Sequence, residues 1–173
     1  MTPGDTDAGG EAPLSLTCAR LLVLPARDEH APLIQACLEE SAAYFLRTDG
    51  APPAADAAAH LLSEAEVDDR RQLLAVFSPA GEAVLGVLDL HLHHPEPGVA
   101  HLGLLLLRES ARGRGYGREL VAALEAALAR AGFHALRLSV VRQNPEARAF
   151  WEAVGYAEAG EADRGVTSYE KLL

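Results

Sequence analysis

Arg112-Gly113-Arg114-Gly115-Tyr116-Gly117 is the stretch whose residue types and spacing can do chemistry. Glycines at this density let a backbone approach a ligand closely and turn its N–H groups inward. A helix opening there adds unpaired donors and a partial positive charge. Arg108, Arg112, Arg114 and Arg118 gather cationic charge in a chain whose 15 Lys and Arg face 25 Asp and Glu, a formal net charge of −10. These features describe a cradle for a diphosphate. Two familiar cradles do not fit. A Walker A loop needs GK[ST] at the helix start, and here Gly117 is followed by Arg118 and Glu119. A dinucleotide fingerprint accepts Gly113 and Gly115 but places Arg118 where its third glycine belongs.

Other reactive side chains point less clearly. Cys18 and Cys37 have neither CxxC spacing nor a paired histidine, so they read as small core hydrophobes rather than zinc ligands or a disulfide. His91 and His93 fall on one strand face, yet no carboxylate or thiol nearby completes a metal site, and none is expected. No side chain in the glycine-rich loop looks like an activated nucleophile. Glu39, Glu40, Tyr44 and Arg47 sit late in an amphipathic stretch, where they serve either as a solvated face or as substrate contacts.

The elements that must position the loop follow from hydrophobic period. Arg20 to Leu24 predicts a short strand stopped by Pro25. Asp28 is suited to cap a helix carrying Leu33, Ile34, Cys37, Leu38 and Phe45, and Ala54 to Val67 predicts a second helix. The period then changes to two. Gln72–Phe77, Ala83–Leu90 and Val99–Leu107 read as an antiparallel meander, the last nearly apolar throughout, as a central strand would be. A helix follows the loop and ends near Gly132. Ala135–Val141 predicts a strand, and Asn144-Pro145 opens a further helix, with Asn as N-cap, that stops at Gly155. Tyr156–Ala159 and Val166–Leu172 close the chain as strands.

Arg112-x-x-Gly115-x-Gly117 after an apolar strand resembles the [QR]xxGx[GA] motif of the GNAT N-acetyltransferase superfamily. Asn144-Pro145-Glu146-Ala147-Arg148-Ala149-Phe150-Trp151-Glu152-Ala153-Val154-Gly155-Tyr156 is similar to the same superfamily's NxxAxxFYxxxGF segment. The order and separation agree, and the resemblance covers roughly residues 17 to 173. It implies an α/β GNAT fold: a mixed, mostly antiparallel sheet with one splayed parallel pair and helices on both faces. It places a single domain over residues 15–173, after a flexible tail over 1–14.

By resemblance, Val99–Leu107 and Ala135–Val141 are the splayed pair, and the pantetheine arm of acetyl-CoA lies between them. Leu105, Leu106 and Leu107 then offer backbone to that arm, and the N–H near Leu105 polarises the thioester carbonyl, with a one-residue uncertainty from a possible bulge. The amides of Gly113, Arg114, Gly115, Tyr116 and Gly117 hold the pyrophosphate, and Arg112 and Arg118 add charge-assisted contacts. Tyr116 also has a simpler reading, packing against its helix. Asn144, besides capping its helix, hydrogen-bonds the pantetheine or reaches towards the thioester as a catalytic residue. Ala147, Phe150 and Trp151 face the cofactor, Trp151 with a core role as its simpler reading. One departure stands out. Many relatives carry a tyrosine at the position of Trp151, whose hydroxyl protonates the departing thiolate; indole has no proton to give usefully. Some relatives carry a glutamate base where this chain has His101. With an ordinary pKa of about 6.5, His101 suits that task, and on a regular strand it shares a face with Gly103, Leu105 and Leu107.

The function implied is transfer of an acetyl group to a primary amine, small or peptide-borne, with a homodimer possible and no metal. A non-catalytic acyl-CoA-binding module, a transferase using another acyl-CoA and an NAD-binding protein are the alternatives. The acidic balance argues against nucleic acid as a partner and favours a cationic acceptor by steering. No apolar run reaches the roughly 18–20 residues of a membrane span, and residues 1–13 lack the pattern of a secretion signal, so a cytoplasmic location is expected.

Overall fold

The computed structural model describes residues 11–162 and 165–173. The strands are β1 (Leu22–Pro25), β2 (Arg71–Phe77), β3 (Val84–Leu92), β4 (Val99–Leu107), β5 (Ala135–Val141), β6 (Ala157–Ala162) and β7 (Val166–Leu172). The helices are α1 (Ala31–Glu40), α2 (Ala42–Thr48), α3 (Ala57–Val67), α4 (Tyr116–Arg130) and α5 (Pro145–Ala153). The strands form one sheet in the order β1-β2-β3-β4-β5-β7-β6. Neighbours run antiparallel except β4 and β5, which run parallel.

Strand alternation divides the core in two. Leu73, Ala75 and Phe77 of β2 face α1 and α3, where Ile34, Cys37, Leu38 and Leu62 meet them. Leu74 and Val76 face the other way, joining Leu88 and Leu90 of β3 against Leu120, Leu124 and Leu128 of α4. Each fully buried leucine contributes about 1.5–3 kcal/mol. Trp151 and Tyr156 extend this second core toward β7, where Tyr169 is buried. Cys37 lies inside the first core, and burial pushes its thiol up to about 11. At the sheet's far end Lys171 donates from Nζ to both oxygens of Glu125 and to the Val154 carbonyl.

Three expectations shift. The single helix from Leu33 to Phe45 is two helices broken at Ser41. The cause is a tie at the end of α1: Glu40 accepts from the Ser110 N–H at 3.0 Å and lies 2.9 Å from Arg108, so the chain turns there rather than running on. Asp28 does not cap α1; it opens a 3₁₀ turn over Asp28–His30, and His30 is the N-cap residue, followed by Pro32 in the first turn where no N–H is needed. The tail expected over residues 1–14 lies, for 1–10, outside the described residues. Residues 11–14 are tied to the sheet: the Leu14 N–H donates to Gln72 at 2.9 Å, Gln72 donates to the Ala12 carbonyl, and Leu14 and Leu16 enter the α4 core.

Candidate active site

β4 and β5 pair from Val99/Ala135 to Leu102/Leu138, and there the ladder stops. The reason lies one strand over. Opposite β3, Asp89 pairs with Leu104 and Leu90 with Leu102, so Gly103 is an extra residue, a bulge that bends β4 away. Past it β4 stays bound to β3 while β5 stays bound to β7. The gap between them exposes backbone. The Arg108 N–H donates to the Leu85 carbonyl of β3, and the Leu106 carbonyl also faces β3, lying 2.5 Å from where a Gly86 Cβ would stand. Alternation therefore turns the N–H groups of Leu105 and Leu107 toward the gap.

A groove follows this gap in two stretches. The inner one, about 230 Å³, runs between Tyr44, Thr48 and Asp49 on one side and Ser139, Val140 and Val141 on the other. The outer one, about 220 Å³, reaches Leu107, Arg112 and Gly117. Tyr44, Leu105, Asn144, Ala147 and Trp151 border both.

At its outer end the groove meets the glycine-rich loop. After a 3₁₀ turn over Glu109–Ala111, Gly113 (φ 72°) and Gly115 (φ 79°) adopt the left-handed conformation. Gly115 is the N-cap of α4, and no side chain caps the helix. The first backbone bond is Glu119 N–H to the Gly115 carbonyl at 3.2 Å, so the Tyr116, Gly117 and Arg118 amides are left to a ligand. Such a terminus is a site for phosphate. Gly117 permits a close approach: a Cβ there would lie 3.2 Å from the Phe150 ring.

The loop is held from behind by Arg20, a residue the sequence reading passed over. Its N–H and Nε reach Glu119 at 2.8 and 2.7 Å, its Nη1 reaches the Arg114 carbonyl at 2.9 Å, and its guanidinium sits 4.9 Å over the Tyr116 ring. Glu119 is drawn below the usual carboxylate range, chiefly by the Arg20 N–H. Tyr116 thus packs under Arg20 and against the α4 core. Arg114 and Arg118 are exposed, and Arg112 folds back so that Nε donates to the Leu107 carbonyl at 3.0 Å. Arg108 is paired with Glu40.

Asn144 is 7% exposed and its Oδ1 accepts from the Ala147 N–H at 3.1 Å, capping α5 as its position before Pro145 required. That commits the oxygen and leaves the amide NH₂ as the donor Asn144 can offer to the groove it borders. Trp151 is buried between Phe150 and Tyr156, each in edge contact at 5.0 Å.

His101 lies elsewhere. The bulge shifts the alternation, so Leu105 and Leu107 share the α4-side core with Leu102, and His101 falls on the opposite face. It stands opposite His91 in the ladder, with the His94 ring 5.7 Å away, and it does not line the groove. The shared face expected for His101, Leu105 and Leu107 is corrected on that ground. Burial, then His94 and His91, lower its pKa. Gly103 brings this cluster near the groove: a Cβ there would lie 3.6 Å from Asp89 and from the His91 ring. Among the described residues no three His, Cys, Asp or Glu are placed to hold a metal, and no helix is long and apolar enough to cross a membrane. Thr48 and Asp49, at the end of α2, carry no periodic signal in the sequence, and Ser139 is a lone polar residue inside β5; none of the three was marked as a site residue by its sequence.

A family model described as the acetyltransferase (GNAT) family matches residues 34–156. A crystal structure of an acetyltransferase from Thermus thermophilus is 32% identical, with a TM-score of 0.82 over 90% of this chain and 99% of that one. Two more distant structures share the fold. PaiA N-acetyltransferase from Thermoplasma acidophilum, in complex with coenzyme A, is 16% identical over 88% of this chain and 99% of its own, TM-score 0.71. Spermidine N-acetyltransferase from Vibrio cholerae, in complex with CoA and spermine, is 18% identical over 89% and 96%, TM-score 0.72. No curated protein matches the chain significantly.

Proposed function

The chain belongs to the GNAT acetyltransferase family, and on that footing we propose that it moves an acetyl group from acetyl-CoA to a primary amine by direct attack in a ternary complex. The observation that carries the reading is the opening of the β4–β5 pair into a groove that ends at uncapped helix donors. An extended, hydrogen-bonding arm joined to a diphosphate fits that shape. Bound coenzyme A structures among the fold's neighbours support the same choice.

Acetyl-CoA supplies the activated acyl group; the chain's residues do the rest. Leu105 and Leu107 donate to the arm, and the Leu105 N–H stabilises charge developing on the thioester oxygen. The amides from Gly113 to Gly117 take the diphosphate, with Arg118 and the free edge of Arg112 adding charge. Asn144 donates from its NH₂, and Ala147, Phe150 and Trp151 form the apolar wall. His101 acts as base through solvent at the Gly103 notch, removing the proton that keeps the acceptor unreactive. Its lowered pKa leaves it neutral at pH 7, the state a base needs. The acceptor enters between Asp49 and Ser139. The Asp49 carboxylate and the net charge of −10 favour a cationic amine of the polyamine kind, such as the spermine bound by the Vibrio cholerae structure.

A second reading has one observation behind it: Trp151, buried where a proton donor is expected, would suit a module that binds acyl-CoA without turnover. One experiment separates the two. Thermal melts with acetyl-CoA, coenzyme A and NAD are compared for the wild type and Gly115→Glu, followed by an amine panel. A ligand at about 100 times its Kd adds roughly 2.7 kcal/mol. Stabilisation by both coenzyme A species and not NAD, lost in the variant, with turnover of a cationic amine, is expected. Stabilisation without turnover on any amine leaves the binding module; no stabilisation overturns both.

A further inference from the structure

The chemistry above leaves one proton unplaced. When the C–S bond of the thioester breaks, its electron pair stays on sulfur, and the thiolate leaves more readily if a proton meets it. Trp151 faces the groove and has no proton to offer.

We propose that the hydroxyl of Tyr44 is the acid, donating its proton to the departing sulfur. Tyr44 comes from α2 on the opposite wall of the groove. It borders both the inner and the outer stretch, as Leu105 does. The side chain is half-buried, and its ring is held edge-on by Phe45 at 5.2 Å. The residue's hydrogen bonds are made by backbone: the N–H donates to the Ser41 carbonyl at 2.9 Å, and the carbonyl accepts from Thr48 at 3.1 Å. Among the described residues nothing hydrogen-bonds the hydroxyl, which is therefore free for a ligand. Tyr44 belongs to α2, a helix separated from α1 by the break at Ser41. Burial and Asp49 raise the phenol's pKa against a smaller opposing pull from Arg112, so it is protonated at neutral pH.

The step balances. The neutral amine's electron pair forms the N–C bond, the C–S pair goes to sulfur, and the Tyr44 proton joins it to give the coenzyme A thiol. The phenolate then recovers a proton from the nitrogen, which becomes the amide. Amine and thioester yield amide and thiol with nothing else consumed.

The inference rests on the acetyl-transfer reading, and the test keeps the two apart. Tyr44→Phe is compared with the wild type in three measurements: kcat with a cationic amine, Kd for acetyl-CoA by calorimetry, and the pH at which the thiol of bound coenzyme A ionises, followed by thiolate absorbance. The expected result is a kcat lower by roughly 10²-fold, an unchanged Kd, and a thiol that ionises at higher pH in the variant because its anion has lost a donor. An unchanged kcat or an unchanged thiol titration overturns the proposal. So does a Kd that rises in step with the loss of kcat, which would make Tyr44 part of the binding wall. The thiol titration needs no acceptor, so it judges Tyr44 even where an amine panel without turnover overturns the acetyl-transfer reading.

Discussion

Arg20 and Glu119 are 99 residues apart in sequence and are joined by two hydrogen bonds, one from the Arg20 backbone and one from its side chain. The same guanidinium holds the Arg114 carbonyl, so a residue outside the groove sets the curvature of the loop that faces it. Arg20→Ala is expected to raise Kd for acetyl-CoA about three- to tenfold, the worth of about one net hydrogen bond, with kcat at saturation unchanged. Calorimetry with the variant decides it; an unchanged Kd means the loop keeps its shape unaided.

Gly115 holds φ 79° at the head of α4. An L side chain in that conformation costs about 1–2 kcal/mol, and a Cβ would stand 3.4 Å from Arg20 Nη2. Gly115→Ala should lower Tm by a few degrees, at about 2–4 °C per kcal/mol for a chain of this size. It should also weaken acetyl-CoA binding beyond what Gly81→Ala does, a turn glycine of similar φ away from the groove. Equal effects from both would show that the loop's strain is structural only.

His101→Ala should lower kcat while leaving acetyl-CoA affinity alone. Because burial depresses the His101 pKa, the imidazole stays neutral somewhat below the usual histidine range, and the acid limb it imposes on the rate lies below about pH 6.5. Stability follows the same group. Below pH 6.5 the unfolded chain takes up a proton that the native His101 resists, so folding weakens as pH falls toward the native value. Melting curves of the wild type and His101→Gln from pH 7.5 to 5 should diverge accordingly, the variant losing less. Parallel curves would assign the acid loss to other groups.

Asp49 is the carboxylate that borders the inner groove, and it is exposed. Asp49→Asn is expected to raise KM for a cationic acceptor about two- to fivefold, the range for an exposed ion pair, with less effect at high salt. KM for acetyl-CoA should not move. A KM unchanged for every cationic amine would place the acceptor elsewhere.

The loop and its strand were readable in the chain because glycine spacing, an apolar run and Asn144-Pro145 are local signals with local causes. The face on which His101 lies was not readable. One extra residue at Gly103 reverses every side chain on one side of it, and a glycine in an apolar strand does not announce whether it bulges. The Ser41 break has a similar origin, since Glu40 is held by Arg108 and Ser110 from the far side of the fold. Tyr44 could be read from the sequence as a possible substrate contact, but its place along both stretches of the groove came only with the fold. Arg20 carried no signal, because its partners lie more than 90 residues downstream.

The opening between β4 and β5 has a meaning for solubility as well. Unpaired strand backbone on an outer edge recruits other strands, which is why proteins blunt such edges with charge, proline or bulges. Here the unpaired row lies in the interior of the sheet, walled by α2 and α5. A second folded copy of the sheet cannot reach it, while a single thin extended chain can. The fold thus keeps an unfinished ladder permanently available for guests without offering it to its neighbours.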